Sequence, residues 1–319
     1  MKPWKLILTA LLGIATTAFG QTWPSAKPIR IIVAYPAGQG TDVATRYLAE
    51  QLSRNLNQAV VIENRPGAGA NLGTELAAQA QPDGYTLTMG TNATHVLNQF
   101  LYPSLKFNPE KDFEPIMLVG TFPMVLAAGS QSKLTSMADV MAAIKANPRS
   151  TDIAMPSTTA RLVVELLKAR SGVAFFGVPY RGSANAITDI GGGQLPLVVD
   201  TPTGLRPHLT SGMVRPIAVT SSKPSELVPG VKTIAEQGYP SFDVVAWNAL
   251  YAPHGTPAAI INQLNGEMNK ILARPETRQK LLDLGFDPAG GTPAQLAEFA
   301  RGERSKWEPI IRAAGIKAD

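Results

Sequence analysis

Apolar positions recur along this chain with two alternating periods: short β-branched runs, and longer stretches that are apolar every third or fourth residue. PIRIIVAY at 28–35 is a compact apolar run and predicts a buried strand. Residues 42–56 follow with Val43, Tyr47, Leu48, Leu52 and Leu56 on one helical face and Arg46, Glu50 and Arg54 on others. The alternation repeats. AVVIE at 59–63 predicts a strand, LGTELAAQA at 72–80 a helix, and YTLTM at 85–89 a strand after a Pro-Asp-Gly turn. This spacing predicts a parallel sheet covered by helices.

PIMLVGTFPMVLAA at 115–128 is too long for one ordinary strand and is broken near Gly120 and Pro123, which predicts a crossover into a second set of elements. That set reads as a helix at 136–146, a strand at 151–155, a helix at 160–170, a strand ending in VPY, a helix at 184–190, and strands at 195–199 and 214–219. DVVAWNALYA at 243–252 predicts a return crossover, followed by helices at 257–272, 275–284 and 293–314. Two crossovers between two α/β sets predict two lobes around a cleft, lobe 1 from 21–122 and 246–319, and lobe 2 from 123–245.

The first twenty residues change where the protein is expected to act. Lys2 and Lys5 precede an apolar stretch from Leu6 to Ala15 and an Ala18-Phe19-Gly20 end, the pattern of a secretory signal peptide (1–20), too short for a membrane span. With 29 basic against 24 acidic side chains and no basic cluster, charge does not point to nucleic acid. The absence of cysteine excludes thiolate metal sites, cysteine nucleophiles and lipid attachment at an N-terminal cysteine.

Candidate chemistry is sparse. NRPGAGANLG at 64–73 spaces its glycines G-x-G-x-x-x-G, not as a dinucleotide fingerprint, and reads as a tight turn. G-x-S-x-G is absent, and His95, His208 and His254 fall in no metal-ligand spacing. No catalytic residue, metal or cofactor is therefore assigned. Three loops after predicted strands do gather small polar donors: Tyr35 to Asp42, Gly90 to His95, and Pro156 to Arg161. Each fits helix capping as well as recognition, but placed at strand ends in facing lobes they would suit a carboxylate.

The ordered set YPAGQGTD (35–42), ENRPGAGAN (63–71), PDGYTL (82–87), VPYRGS (178–183), AVTSSKP (218–224), TIAEQGYP (233–240) and LYAPHGTP (250–257) resembles the Bug family, the extracytoplasmic solute-binding proteins of tripartite tricarboxylate transporters. The resemblance covers the mature chain. It implies a type II-like periplasmic binding protein fold, each lobe a mostly parallel sheet flanked by helices. It also implies a monomer that closes on a small organic acid and delivers it to membrane permease subunits, with no nucleic acid partner and no chemistry on the ligand. Ligand sensing for a two-component system and enzymatic action on an organic acid are the alternative expectations. By resemblance, Tyr35, Ala37, Gly38, Gln39, Gly40, Thr41 and Asp42 hold one carboxylate. Ser157, Thr158, Thr159 and Arg161 complete the grip, and Thr91, Asn92, Thr94, His95, Tyr180, Arg181, Gly182 and Asp200 line the remainder. The chain departs from the family at the second loop, where PSTTAR replaces a Gly-rich S-x-G-x-G-T-x-x-H run. Arg161 then becomes a candidate for pairing with a second carboxylate, against the alternative of a surface arginine on a first helical turn. The smaller loop would admit a longer or flatter acid such as terephthalate or phthalate.

Overall fold

The structure, a computed structural model, describes residues 23–318; the expected signal segment 1–20 lies outside them. The chain begins β1 (Ile29–Val33), α1 (Gly40–Leu56), β2 (Val60–Asn64), α2 (Asn71–Ala78) and β3 (Thr86–Thr91). A π-helical turn at Ala93–Leu97 runs into α3 (Asn98–Leu101) before β4 (Phe113–Pro123). The second set is β5 (Val125–Gly129), α4 (Met137–Ala146), β6 (Ile153–Met155), α5 (Thr158–Ser171), β7 (Gly177–Pro179), α6 (Ser183–Gly191), β8 (Leu197–Asp200), α7 (Pro202–Thr210) and β9 (Val214–Val219). The chain returns through β10 (Val245–Pro253), α8 (Ala258–Leu272), α9 (Pro275–Asp283), β11 (Asp287–Gly290) and α10 (Pro293–Ala313).

Two sheets form, six strands in the order β11-β4-β10-β3-β1-β2 and five in the order β7-β6-β8-β5-β9. Helices cover them: every residue of β3 is buried although threonines interleave with Leu87 and Met89, and β1 is apolar except at Arg30. On α1 the buried face is Ala44, Leu48, Ala49 and Leu52, while Val43, Tyr47 and Leu56 lie at its margin.

The sheets are mixed, not mostly parallel. β1 runs parallel to β2 and β3, and β6 to β7 and β8, as the alternation predicts. β10 pairs antiparallel with β3 and β4, β11 with β4, and β5 with β8 and β9. The reversal has a topological cause: β5 and β10 each arrive from the other sheet and run against their neighbours, and β11 follows β10 through two helices and keeps its direction.

β4 and β5 belong to different sheets and are separated by Met124 alone, so the first crossover falls at the Pro123 break. Thr220, fully buried, ties both crossovers together. Its N–H donates to the Met124 carbonyl at 3.0 Å, its hydroxyl accepts from Met124 N–H at 2.8 Å and donates to the Val244 carbonyl at 2.6 Å, and its carbonyl accepts from Val244 N–H at 2.9 Å.

Candidate functional site

Because β1, β2 and β3 are parallel neighbours, the loops after β1 and β2 emerge at one edge of the first sheet. The ends of β6 and β7 face them from the second sheet. Between lies a cleft of about 810 Å³. From the first sheet it is lined by Tyr35, Pro36 and Gln39, by Pro66 to Ala70, by Tyr102, and by Ala318 near the C-terminus. From the second sheet Ser157, Thr158, Arg161, Tyr180 and Arg181 complete the wall. Two arginines and no carboxylate line this cleft among the described residues, which favours an anion.

Ala37, Gly38 and Gly182 line an adjoining hollow of about 680 Å³ that shares Pro36, Gln39 and Arg181 with the first. The two sides are close here: a Cβ added to Gly182 would lie 3.0 Å from the Pro36 ring and 3.6 Å from Gln39 Oε1. Neither α1, capped by Gln39, nor α6, capped by Gly182, has a side-chain cap, so first-turn N–H groups of both helices lack intrahelical acceptors near this point.

Tyr35 and Tyr180 stay neutral at ordinary pH. Burial pushes the Tyr35 phenol up to about 12, against a hydrogen bond to Thr91 that lowers it. Burial, then the neighbouring Asp189, does the same for Tyr180, again to about 12. The Tyr35 hydroxyl lies 2.9 Å from Thr91 Oγ1, and Tyr180 donates to Asp189 Oδ2 at 2.5 Å, so each ring is held by a partner behind the cleft wall. Ser157 acts as the N-cap of α5, its hydroxyl accepting from Ala160 N–H at 3.2 Å. Arg161 on the next turn donates from Nη1 to the Lys317 carbonyl at 3.2 Å and still lines the cleft.

Other expected site residues support the cleft without lining it. Asp42 is 1% exposed and accepts from Gly38 N–H at 2.8 Å, Arg46 Nε at 2.9 Å and Asn64 Nδ2 at 2.8 Å. Burial alone would raise its pKa; these donors together outweigh burial and hold the carboxylate below its usual range. It braces the first loop. Gly40 is buried against α7, where a Cβ would meet Thr201 and Thr203 at 3.1 Å, and Thr41 faces Asn248 Oδ1 at 3.4 Å. Thr91 and Thr94 bond one another beneath Tyr35. Asn92 Oδ1 accepts from Thr159 Oγ1 at 3.2 Å, a buried contact between the first set of elements and the second.

His95 is 1% exposed, stacks on Tyr251 with centroids 4.0 Å apart and lies 4.7 Å from Phe113. Burial first, then the Arg304 charge, lowers its pKa to about 3. It is therefore a neutral ring in the core of the first sheet, away from the cleft, because Gly90 opposite it has no side chain: a Cβ there would lie 2.5 Å from the imidazole. Asp200 is fully buried at the end of β8 and accepts from Thr201 N–H at 2.7 Å; burial pushes its pKa up to about 6 against hydrogen bonds from Ser183 and Thr201. Among the described residues no group of three or more His, Asp or Glu side chains gathers to hold a metal.

The sequence reading missed Pro66 to Ala70, Tyr102 and Ala318. For the first of these a signal existed: strand AVVIE precedes NRPGAGAN as IRIIV precedes YPAGQG, and parallel neighbours place both loops at one sheet edge. Tyr102 and Ala318 carry no such local signal.

A family model described as the tripartite tricarboxylate transporter family receptor matches residues 44–316. Protein BugT of Bordetella pertussis is 35% identical over 314 residues, covering 98% of this chain and 96% of that one. Among solved structures, R. palustris Rpa4515 with adipate superposes with a TM-score of 0.89 at 32% identity, covering 92% of this chain and 99% of the other. MatC from Rhodopseudomonas palustris with bound malate gives 0.84 at 30% identity, with coverages of 90% and 99%, and the periplasmic binding protein BugD gives 0.86 at 30%, with 92% and 99%.

Proposed function

This chain belongs to the tripartite tricarboxylate transporter receptor family of solute-binding proteins, and from that premise we propose that it captures a small di- or tricarboxylate in the periplasm and delivers it to a membrane permease. The observation that carries this reading is the cleft lined by Arg161 and Arg181 with no carboxylate among the described residues. Relatives holding adipate and malate, both diacids, support the ligand class. The lobes of this reading divide at 122/123 and 245/246, beside the two crossovers tied by Thr220. The loop after β1, with its backbone donors and Asp42 brace, receives one carboxylate, and Arg161 across the cleft receives the second through its planar fork. Tyr35, Tyr102 and Tyr180 add flat apolar surface that suits an aromatic diacid as well as an aliphatic one. The protein acts as a monomer and the acid leaves unchanged. Ligand contacts to both sides favour the closed arrangement and drive closure.

Calorimetry and thermal shift over aliphatic, citrate-like and aromatic acids test this. Saturable one-to-one binding of a diacid, with the acid recovered intact, is the expected result. Binding of nucleotide cofactors in place of any acid, or conversion of the bound acid, would overturn it.

A further inference from the structure

We propose that the C-terminal segment Ile316–Ala318 positions Arg161, and thereby sets how strongly the cleft prefers doubly charged over singly charged acids. The inference rests on the carboxylate-binding reading above. After α10, Gly315 at φ +61 turns the chain, and Ile316, 4% exposed, packs into the core with its N–H on the Ile311 carbonyl at 3.2 Å. Ala318, 5% exposed, lines the cleft, and its N–H donates to the Leu101 carbonyl at 2.8 Å. The two anchors fix Lys317 between them, and its carbonyl accepts Arg161 Nη1 at 3.2 Å.

Arg161 stands on α5 of the second set, whereas Leu101 and α10 belong to the first, so this bond spans the mouth between the two. Its chemistry matters. A carbonyl acceptor occupies one of the five N–H donors of the guanidinium and restricts its rotation while leaving the charge uncompensated. A carboxylate in that place would have neutralised it; the partner the structure shows for Arg161 among the described residues is the neutral Lys317 carbonyl. The tail therefore pre-orders a cation at the cleft edge, and that order is worth most to a ligand bearing a second carboxylate. Arg161 is the binding group and the tail acts through it.

The test is titration of wild type, Ala318→Pro, Arg161→Ala, Arg161→Lys and the Ala318→Pro/Arg161→Ala double variant with adipate and terephthalate, and with the monoacids hexanoate and benzoate. Proline at 318 removes the N–H that anchors the tail. Ala318→Pro should reduce the diacid-over-monoacid preference about three- to tenfold, the range of one lost polar contact. Arg161→Ala should abolish the preference, and the double variant should lose nothing more. Arg161→Lys, which keeps charge but not the fork, should also lose most of the preference even if Ala318→Pro fails to fold. Equal weakening toward both acid classes in Ala318→Pro, a tail effect that persists without Arg161, or full preference in Arg161→Lys would each overturn the proposal. Wild type that binds no carboxylate would overturn the reading beneath it, a different outcome from binding with unchanged preference.

Discussion

Two buried aspartates show how residue type alone underdetermines role. Asp42 sits among three donors, and its carboxylate is held charged where it braces the first loop. Asp200 receives the Thr201 N–H but lies fully buried with no ion pair among the described residues, and burial raises its pKa to about 6. A raised carboxyl pKa means the folded state holds its proton more tightly than the unfolded chain. The cost of ionising Asp200 is therefore absent below about pH 4 and complete above about pH 6, roughly 3 kcal/mol for a shift of about two units. Asp200→Asn removes that pH dependence. Thermal melts should show the variant gaining stability relative to wild type as pH rises from about 4 to about 8. An unchanged difference across that range would show that Asp200 is not the ionising group.

At the scale of elements, the turn between β2 and α2 is where the chain is most strained beside the cleft. Ala68, Gly69 and Ala70 all have positive φ, at 49°, 62° and 75°, a conformation that L residues with a Cβ occupy at a cost of about 1–2 kcal/mol each. Gly69 has no room for a side chain: a Cβ would lie 2.0 Å from the Tyr102 hydroxyl and 3.0 Å from Thr158 Oγ1. Gly69→Ala should lower stability by about 1–3 kcal/mol and weaken ligand binding, because Tyr102 and Thr158, both cleft residues, must move. Denaturant melts and titration measure the two effects, and a variant with wild-type affinity would count against the turn as a cleft wall. α7 is a helix that the pattern does not reveal, since Pro202, Gly204 and Pro207 interrupt a short stretch between the strands at 195–199 and 214–219. It forms because Pro202 is tolerated in the first turn and Thr201 caps Gly204 N–H at 3.1 Å.

Across the whole molecule, the two sheets communicate at the Thr220 staple and at the Asn92–Thr159 contact. Thr220→Val keeps the shape but leaves Met124 N–H and the Val244 carbonyl without the hydroxyl that serves both. About 2–4 kcal/mol of stability should be lost on chemical denaturation, with Thr220→Ser restoring most of it. Full stability in the valine variant would show that water replaces the hydroxyl and that the crossovers need no tie.

The sequence by itself determined the order of most strands and helices, though not α3, α7 or β11, together with the Pro123 crossover and the loops that end β1 and precede α5, because those follow from local periodicity, capping and turn chemistry. Family resemblance added a two-lobed solute-binding architecture, and the comparisons show that family. Only the tertiary structure decided which polar residues face the cleft. His95 reads like a donor in its loop, yet packing against Tyr251 in the space left by Gly90 puts it in the core. Gly69, Tyr102, Arg161 and Ala318 lie far apart along the chain and meet around one cleft. Local pattern specifies an element and the edge at which its loop emerges. Which side chains then share a surface depends on strand order, on the reversed crossover strands and on close packing, none of which has a signature within a short window of sequence.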